Sequence, residues 1–492
     1  MQIKSINNFF SFWDRDDLAA ILKMDSSISY KDLFQKSKNI AGFLSKHKIH
    51  KNDYVPLLID DQIKFIELVV ALWYLGAIPV PLNTKLLDDE IISILDDHDF
   101  KFLITDSRNN FGVSFESLSL SGKENKIGVS QKDSKSASFT KIVLPESNSY
   151  LFDAADYPIP DINKEAVVIF TSGSTGRPKG VVQTFSSLIN SIENGNYILN
   201  HKESDRWLAS LPFYHIGGFQ IICRSLYNGC TIVLPESLKT DDLVTAITNL
   251  NPTHISLVST QLERLIHQKV KPDESLRVSL IGGGFVNDEL MIEADKLGWK
   301  PFRVYGSSET ASMVTAISAN DIISKPQSVG KPFKDAKIII SNESEILIKS
   351  NSLFKKYLDD EKETASKLID GFYHSGDLGF VDADGYLFIE ARRNDLIVTG
   401  GENVNPIEIE KVLLQFPFIK DACVFPKQNK TWGQIVACAL VVNDSSIDIK
   451  SIKEKLKLIL AGYKIPKEFY FVDELPRTSL GKLEREKIKK MF

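Results

Sequence analysis

The sequence predicts an α/β protein with mainly parallel sheets, followed by a smaller α+β domain. Apolar runs such as "YVPLLI", "FLIT", "AVVIF" and "HISLV" alternate with segments of helical period such as "DDEIISILDDH", which is typical of parallel sheets covered by helices. After about residue 340 the runs become short and alternating. Because 492 residues are too many for one core, we expect two domains, 1–393 and 394–492.

The composition argues against several classes of partner. A net charge of −5, from 59 basic and 64 acidic residues, gives no basic surface for nucleic acid or an anionic membrane. The most apolar stretch, "ELVVALWYLGAIPVPL", is broken by one glycine and two prolines, so it predicts a buried helix and a strand rather than a membrane span. The N-terminus lacks a signal-peptide pattern, which predicts a cytoplasmic protein.

The cysteines also lack a recognisable pattern. There are four, with no C-x-x-C pair and no nearby histidine cluster. This spacing predicts reduced structural thiols and no cysteine metal site. They are Cys223, Cys230, Cys423 and Cys438.

The segment Thr171–Gly180, "TSGSTGRPKG", is a candidate phosphate loop. It is not a Walker loop, because Pro178 stands five residues after Gly173 and a strand follows instead of a helix. Its glycines let backbone N–H groups converge, and its hydroxyls and Lys179 can face phosphates. A plain polar hairpin loop stays open on these residues alone. The candidate residues are Thr171, Ser172, Gly173, Ser174, Thr175, Gly176 and Lys179.

A second pattern is the predicted hairpin "FYHSGDLGFVDADGYLFIEARR". With Asp382–Gly385 as the turn, Asp377 lies opposite Glu390, and Asp377 and Arg392 emerge at the same open end. Such a carboxylate accepts hydrogen bonds from a ribose diol, and such a guanidinium donates to a phosphate or ribose oxygen. An exposed ion pair is the alternative.

Three shorter stretches carry further candidates. In "VYGSSET", Ser308 and Glu309 follow a strand, where the carboxylate can hold Mg²⁺ and the hydroxyl can touch a phosphate. In "LPFYHIGGF", His215 precedes Gly217–Gly218, a backbone that a substrate can approach, although a packed histidine is the alternative. Lys482 follows Gly481 in "LPRTSLGKLER" and by composition is a solvated lysine.

Taken together and in this order, these motifs resemble the adenylate-forming superfamily of acyl-CoA synthetases, luciferases and peptide-synthetase adenylation domains. The resemblance covers essentially the whole chain. It implies a large N-terminal domain of two α/β sheet subdomains and a small β-barrel-like subdomain, followed by a small mobile α+β domain. The matching motifs are Thr171–Gly180, Tyr305–Thr310, Ser375–Gly379, Arg392–Ile397 and Pro476–Lys482.

Within this superfamily the chain most resembles the o-succinylbenzoate-CoA ligases of menaquinone biosynthesis, through "LIGGGFVNDEL", "DLIVTGGENVNPIEIEKVLL" and "KTWGQIVACALVV". The resemblance implies that a carboxylic acid, ATP, Mg²⁺ and coenzyme A combine through an acyl-adenylate to an acyl-CoA thioester. The chain departs from the family pattern at Ser308, where threonine is common, at Ala391, where glycine is usual, and at Asn394. The last departure leaves the exact pivot open.

The resemblance also implies residue roles. Lys482 bridges the attacking carboxylate and the α-phosphate, Glu309 holds Mg²⁺, and Ser308 touches the α-phosphate. His215 gates the acyl pocket. The remaining ATP residues are Gly282, Gly283, Gly284, Tyr305, Gly306, Ser307, Asp377 and Arg392. The acyl-pocket residues are His215, Arg224, Ser259 and Thr310, the hinge is Asn394 and Asp395, and the CoA residues are Gly400, Gly401 and Glu402.

Several alternatives stay open at this point. o-Succinylbenzoate has a second carboxylate, and Arg224 either faces that group or lies on a helix surface. Another aryl- or fatty-acyl-CoA ligase would use the same chemistry with a different pocket. An amino-acid adenylation domain is disfavoured because "LPFYHIGGFQ" lacks an aspartate for an ammonium group. A nucleotide-binding protein without ligase activity is disfavoured by the presence of Lys482 and Glu309. A homo-oligomer is compatible with the sequence.

Overall fold

The computed structural model describes residues 6–106, 139–144, 161–171, 178–284, 286–392, 395–399, 402–429, 433–443, 448–478 and 481–492. Its helices are α1 (Tyr30–Lys46), α2 (Gln62–Leu75), α3 (Asp88–Asp97), α4 (Phe185–Leu199), α5 (Ile216–Asn228), α6 (Thr240–Leu250), α7 (Ser259–His267), α8 (Asp288–Lys296), α9 (Ala319–Ser324), α10 (Glu361–Lys367), α11 (Pro406–Leu413), α12 (Ile449–Lys457) and α13 (Arg485–Lys489). Its strands are β1 (Ala19–Leu22), β2 (Ser27–Ser29), β3 (Tyr54–Leu58), β4 (Ile78–Pro81), β5 (Phe102–Thr105), β6 (Thr140–Val143), β7 (Glu165–Thr171), β8 (Lys179–Thr184), β9 (Arg206–Leu208), β10 (Thr231–Val233), β11 (His254–Val258), β12 (Val278–Gly282), β13 (Pro301–Ser307), β14 (Ser312–Ser318), β15 (Ser328–Pro332), β16 (Lys337–Ile340), β17 (Glu345–Lys349), β18 (Lys356–Tyr357), β19 (Leu368–Ile369), β20 (Phe372–Val381), β21 (Leu387–Arg392), β22 (Ile397–Thr399), β23 (Glu402–Val404), β24 (Ile419–Asn429), β25 (Gly433–Val442) and β26 (Glu468–Phe471).

The first sheet is parallel, with strand order β4-β3-β5-β6. Helix α2 precedes β4 and is buried along nearly its whole length. It begins after Asp61, whose side chain accepts hydrogen bonds from two backbone N–H groups, and it ends at Gly76 in the left-handed conformation, with φ 67°. The most apolar stretch is therefore a buried helix leading into a strand, as predicted.

The second sheet combines parallel and antiparallel strands. Its parallel part runs β13-β12-β11-β9-β10-β1, and the antiparallel strands β14, β15, β21, β20, β17 and β16 continue it at one end. These last strands correspond to the predicted β-barrel-like subdomain. Strands β18, β8 and β7 form a separate antiparallel sheet. The mixed α/β class predicted from the alternating runs is confirmed.

The C-terminal part has its own sheet, with order β23-β22-β25-β24 and β26 beside β25. Its core includes Ile409, Val424 and Leu440. The Arg485 guanidinium pairs with the Glu410 carboxylate inside this part, and burial raises the pKa of Glu410 although the arginine opposes the shift. This α+β unit matches the predicted class, and its boundary at residue 394 stays a prediction.

Two further expectations can be compared with the described residues. All four cysteines are free thiols and buried, as the sequence predicted. None of the described helices is both long enough and apolar enough to cross a membrane.

Candidate active site

The phosphate-loop candidate joins two antiparallel strands. β7 pairs with β8, with Thr171 opposite Lys179, so a strand follows the loop as predicted. Helix α4 then begins after Thr184, whose hydroxyl accepts a hydrogen bond from the Ser187 N–H. This order of elements excludes a Walker loop. The loop residues Ser172, Gly173, Ser174, Thr175 and Gly176 lie outside the described residues.

Lys179 is held by two groups from the segment around β18. Its Nζ lies 2.6 Å from Glu363 Oε1 and 5.8 Å from the centre of the Tyr357 ring. β18 pairs with β8, and Tyr357 stands opposite Val181. The same pairing that builds this small sheet therefore fixes the position of the Lys179 cation.

Glu309 lies in a short 3-10 helix directly after β13. Its Oε1 accepts a hydrogen bond of 2.9 Å from the Tyr357 hydroxyl. Its backbone carbonyl accepts one of 2.7 Å from the Phe354 N–H, and the neighbouring Ser308 carbonyl accepts one of 2.6 Å from Gln183 Nε2. Within the described part of the chain no lysine or arginine forms a salt bridge with Glu309. Its carboxylate thus accepts a hydrogen bond from one neutral donor, and the two backbone bonds hold the loop that carries it, as suits an oxygen ligand of Mg²⁺.

The loop that carries Glu309 has an unusual backbone. Ala311 and Ser312 both have positive φ, of 52° and 105°, and such conformations in residues other than glycine cost about 1–3 kcal/mol each. The Ala311 carbonyl accepts hydrogen bonds from Ser191 Oγ at 2.7 Å and from Gln220 Nε2 at 2.8 Å. The strained loop is therefore clamped from α4 and α5.

Two other motif residues support the same loop. A Cβ at Gly306 would overlap the Ser312 carbonyl oxygen, so only glycine fits there. The fully buried Thr310 hydroxyl donates to that carbonyl at 2.6 Å and accepts from the Ser307 N–H at 2.8 Å. The loop's own residues thus build the turn that presents Ser308 and Glu309.

Tyr305 and Asp377 join β13 to β20. The Tyr305 hydroxyl donates to Asp377 Oδ2 at 2.7 Å. Burial, reinforced by the Asp377 charge, raises the pKa of Tyr305 well above its usual value, so the phenol stays a hydrogen-bond donor. Asp377 pairs with Arg392 across the hairpin, and only the backbone of Arg392 is described. The two ribose candidates therefore do share one end of the hairpin.

The predicted register of this hairpin was wrong by two residues. Asp377 lies opposite Arg392 rather than Glu390. One residue comes from the turn, because Asp382 N–H bonds to the Tyr386 carbonyl and the loop is longer than assumed. The other comes from a β-bulge next to Leu378. The two shifts add and bring Asp377 and Arg392 directly opposite each other.

The triple glycine begins at Gly282, the last residue of β12. A Cβ at Gly282 would lie 2.8 Å from a Val304 methyl group, and Gly283 has a φ of 83°. At Gly284, however, an added Cβ would meet nothing within 4 Å. The segment therefore leaves open space beside the backbone at Gly284, which is compatible with the predicted adenine surface.

His215 stands at the start of α5. Burial lowers its pKa to about 4, so the ring is neutral near pH 7. The predicted reason for the adjacent glycines was wrong at Gly218: a Cβ there would overlap the Pro212 carbonyl oxygen. The close approach at that position is made by the chain's own loop rather than by a substrate.

Arg224 is buried, with 1% of its surface exposed, so the helix-surface alternative was wrong. Its guanidinium lies 5.1 Å from the Trp207 ring, and its Nη2 lies 3.4 Å from Ser312 Oγ. Its Nε has no hydrogen-bond partner, and no carboxylate forms a salt bridge with it among the described residues. Burial lowers its pKa to about 10. A buried cation of this kind favours an anionic ligand.

Lys482 lies on a tight loop of the C-terminal part. The Thr478 N–H bonds to the Lys482 carbonyl at 2.8 Å, and the Gly481 N–H bonds to the Thr478 carbonyl at 2.8 Å. Gly481 has a φ of 73°, and a Cβ on it would lie 2.5 Å from Thr260 Oγ1. The lysine loop therefore packs against α7, whose first residue is the acyl-pocket candidate Ser259.

The remaining candidates concern the hinge and the thiol. Asp395 lies 3.8 Å from Arg485 of α13, and Glu402 pairs with Thr399 through its backbone. The side chain of Glu402 is not among those the structure describes. Asn394, Gly400 and Gly401 lie outside the described residues.

Comparison with known proteins agrees with this geometry. The family described as AMP-binding enzyme matches residues 14–358. The AMP-binding enzyme C-terminal domain matches residues 408–482. The chain belongs to the AMP-binding enzyme family.

Individual relatives of this AMP-binding enzyme extend the comparison. The 2-succinylbenzoate–CoA ligase of Bacillus licheniformis is 33% identical over 481 residues, which are 96% of this chain and 96% of that protein. The same ligase of Bacillus subtilis is 32% identical over 479 residues, 96% of this chain and 94% of the relative. The resemblance stated from the motifs is thereby confirmed.

Solved structures give the same result. O-succinylbenzoate coenzyme A synthetase (MenE) from Bacillus subtilis in complex with AMP has a TM-score of 0.87 at 30% identity, with 98% of both chains covered. Its complex with the acyl-adenylate OSB-AMP has a TM-score of 0.86, again at 30% identity and 98% coverage of both chains. The complex with ATP and a magnesium ion has a TM-score of 0.84 at 30% identity and covers 98% of this chain and 99% of that one.

The structure of this AMP-binding enzyme also adds residues that the motifs did not predict. Tyr357 and Glu363 contact the candidates Glu309 and Lys179, and Gln220 clamps the Glu309 loop. These partners are separated in sequence by 48, 184 and 91 residues respectively. A tyrosine, a glutamate and a glutamine without local motif carry no pattern that would identify them.

One further group of metal-type ligands occurs away from this site. Ligand atoms of His201, Asp205 and Cys230 all lie within 4.8 Å of one another. However, Asp205 already pairs with the Arg277 guanidinium and accepts a hydrogen bond of 2.8 Å from the Lys202 N–H. Burial also raises the pKa of the Cys230 thiol, which keeps it protonated. We therefore interpret the group as a polar cluster in which the Arg277 guanidinium, rather than a metal ion, neutralises Asp205.

Proposed function

We propose that this AMP-binding enzyme is an ATP-dependent ligase that joins 2-succinylbenzoate to coenzyme A, with release of AMP and pyrophosphate. The observation that carries the proposal is the loop between β13 and β14. Within this loop, Glu309 accepts a hydrogen bond from the Tyr357 hydroxyl. Tyr305, on the strand before the loop, donates to Asp377, and Ser312, directly after the loop, contacts the Arg224 guanidinium. Groups suited to a metal, a nucleotide and an anionic acid thus converge on one short segment.

In the first half-reaction a carboxylate oxygen of the acid attacks the α-phosphorus of ATP, and the bond from that phosphorus to pyrophosphate breaks. This substitution needs charge neutralisation and positioning more than a protein nucleophile. Lys179 and the Thr171–Gly180 loop hold the outer phosphates, and Ser308 contacts the α-phosphate. Asp377 and Arg392 hold the ribose, while Gly284 lies under the adenine.

Glu309 holds the magnesium ion in this proposal. One carboxylate oxygen accepts a hydrogen bond from the neutral Tyr357 hydroxyl. The carboxylate keeps lone pairs with which it can bind Mg²⁺, a cation that prefers oxygen ligands. A bound Mg²⁺ supplies charge neutralisation to the phosphate oxygens. The chain's own contribution is the strained and clamped loop, which fixes the direction of the carboxylate.

Lys482 serves the same half-reaction. Because Gly481 packs against Thr260, the loop of the C-terminal part reaches α7 on the acid side of the site. From there the ammonium group bridges the attacking carboxylate and the α-phosphate, where negative charge accumulates. We assign contact between this loop and α7 to the adenylating step of the proposal.

In the second half-reaction the sulfur of coenzyme A attacks the acyl carbon, the thiol proton is lost, and AMP leaves. The C-terminal domain first rotates about Asn394 and Asp395, which removes Lys482 and brings the segment Gly400, Gly401 and Glu402 toward the thiol. The neutral ring of His215 gates the passage between the acid and the thiol.

Substrate choice rests on Arg224. 2-Succinylbenzoate has a second carboxylate, and burying such a charge without a partner is costly. Arg224 is a buried cation with an unpaired Nε, and Ser259 begins α7 on the acid side. Thr310, predicted for the acid pocket, is fully buried and uses its hydroxyl within the Glu309 loop, so it supports that loop instead. The second candidate function is another aryl- or fatty-acyl-CoA ligase, which would use the same chemistry with a different acid pocket. Menaquinone biosynthesis and a cytoplasmic location follow as predictions, and a homo-oligomer stays open.

The test is a substrate panel. The purified chain is incubated with ATP, Mg²⁺, coenzyme A and one acid at a time: 2-succinylbenzoate, benzoate, a coumarate or a fatty acid. AMP release and the mass of the thioester are measured, and omission of coenzyme A serves as the control that stops at the acyl-adenylate. We expect 2-succinylbenzoyl-CoA. If the other acids are turned over and 2-succinylbenzoate is not, the proposed substrate is rejected. If no acid leads to AMP release, the proposed ligase activity is rejected.

A further inference from the structure

The Lys179 ammonium lies in a partly closed setting made by a carboxylate and an aromatic ring. Glu363 Oε1 is 2.6 Å away, and the exposed fractions of the lysine and glutamate side chains are 22% and 25%. The Tyr357 ring centre is 5.8 Å from Nζ. This pair is far less solvated than an ordinary surface ion pair, so its electrostatic effect on nearby charges is less screened.

Glu363 is fixed in this position by the first turn of α10. Asp360 Oδ1 accepts a hydrogen bond of 2.8 Å from the Glu363 N–H. The Thr364 hydroxyl donates to the Asp360 carbonyl at 2.7 Å and accepts from the Tyr357 N–H at 2.9 Å. Tyr357 in turn belongs to β18, which pairs with the strand that begins at Lys179. The turn therefore fixes the backbone at Glu363 and places its carboxylate within reach of the lysine.

The charges on this arrangement oppose each other when phosphate is the ligand. A phosphate group that contacts Lys179 also approaches Glu363, because both charged groups occupy the same small space. Like charges at such distances repel, and partial burial strengthens the repulsion. Lys179 attracts the phosphate, whereas Glu363 both shares the cation and weakens the attraction.

We propose that Glu363 is a positioning residue that holds Lys179 at the phosphate site and lowers the affinity for ATP phosphates and for pyrophosphate. The inference rests on the proposed function, in which Lys179 binds these phosphates. Its consequence is that pyrophosphate is released more readily than from an unopposed lysine. Tyr357 keeps the ammonium in place when Glu363 is neutral, because its ring contact does not depend on the carboxylate.

The decisive variant is Glu363→Gln, which removes the charge and preserves the shape. We expect the KM for ATP and the inhibition constant of pyrophosphate both to fall about three- to tenfold, with the KM for the acid unchanged. The matched control is Glu361→Gln in the same turn of α10, which makes the same charge change at an exposed position. Glu363→Asp retains the charge and is expected to restore most of the wild-type KM for ATP.

A binding measurement makes the test independent of turnover. Titration calorimetry with magnesium pyrophosphate reports affinity for wild type and for each variant, even if a variant is inactive. Tighter binding by Glu363→Gln alone supports the inference. Unchanged or weaker binding overturns it, and so does an equal gain in Glu361→Gln, which would reflect net charge only. If wild type releases no AMP with any acid, the proposed function fails, whereas an active wild type with no shift in Glu363→Gln rejects only the role of Glu363.

Discussion

The nucleotide side and the acid side of the site differ in how their polar groups are satisfied. On the nucleotide side, Tyr305 bonds to Asp377 at 2.7 Å and Tyr357 bonds to Glu309 at 2.9 Å. On the acid side, Arg224 Nε and the adjacent Trp207 Nε1 are buried without hydrogen-bond partners in the described part of the chain. The carboxylates on the nucleotide side are thus held by the chain's own hydroxyls, although Ser307 Oγ there also lacks a partner among the described residues. The acid side differs in that the unpartnered donor belongs to a buried cation.

The largest effect is expected from Lys482, which links the two sides. In the proposed role, Lys482→Ala removes positive charge from the place where the carboxylate attacks phosphorus, so acyl-adenylate formation should slow on the order of 10²- to 10³-fold. Pyrophosphate release reports this step. Thioester formation from supplied acyl-adenylate and coenzyme A should continue at close to the wild-type rate.

The control for this prediction is Lys487→Ala. Lys487 lies on α13 and pairs with Glu484 at 3.3 Å, so its removal changes net charge by the same amount outside the site. Equal losses in both half-reactions of Lys482→Ala would contradict the separation of roles.

The next effect tests the acid side alone. Arg224→Lys keeps the charge but loses the planar fork that a carboxylate pairs with. We expect the KM for 2-succinylbenzoate to rise about ten- to hundredfold, with the KM for ATP nearly unchanged. Initial rates at varied acid and varied ATP measure both constants.

The substrate provides the control here. An aromatic acid with a single carboxylate has no group for Arg224, so any turnover of it should respond weakly to the substitution. A thermal unfolding curve separates a pocket effect from loss of the fold. A rise in both KM values together would mean that Arg224 supports the shared Glu309 loop through Ser312 instead.

The same contrast explains what the sequence could predict. The nucleotide side consists of local motifs, because glycines, hydroxyls and charges at short spacing impose loop geometry that can be read directly. Even there the register between Asp377 and Arg392 was wrong, because a longer turn and a β-bulge leave no clear mark in the residue pattern. Both deviations are local and did not separate the two residues.

The acid side and the supporting contacts were less predictable for a physical reason. Arg224 lies on an almost completely buried helix, α5, and an arginine in such a helix carries no sign of which neighbour it faces. Gln220 reaches the Ala311 carbonyl across 91 residues. Such contacts depend on how α5 packs against β14, which follows from the tertiary arrangement rather than from local spacing.

A smaller effect is expected at Glu309, the proposed metal ligand. Tyr357→Phe removes the hydroxyl that bonds to Glu309 and retains the ring near Lys179. Because a hydrogen bond to a charged group contributes about 1.5–3 kcal/mol, and Mg²⁺ itself also orients the carboxylate, we expect the Mg²⁺ concentration for half-maximal activity to rise about fivefold. The measurement is initial rate against Mg²⁺ at saturating ATP.

Tyr197→Phe is the matched control, since Tyr197 is 67% exposed and lies on α4. It should leave the Mg²⁺ requirement unchanged. A fall in the maximal rate of Tyr357→Phe with no change in Mg²⁺ dependence would assign the hydroxyl a different role.

The smallest effect is expected at Gly284, the proposed adenine surface on the nucleotide side. At Gly284 an added Cβ meets nothing within 4 Å of the chain, so Gly284→Ala should leave thermal stability unchanged. If adenine lies on this backbone, the methyl group intrudes on the ligand, and the KM for ATP should rise about threefold, which is a fraction of the cost of an overpacked core. Gly462→Ala is the control, because a Cβ there is equally unobstructed but lies in the C-terminal part. An unchanged KM for ATP in both variants would place the adenine elsewhere and leave Gly284 as an open loop position.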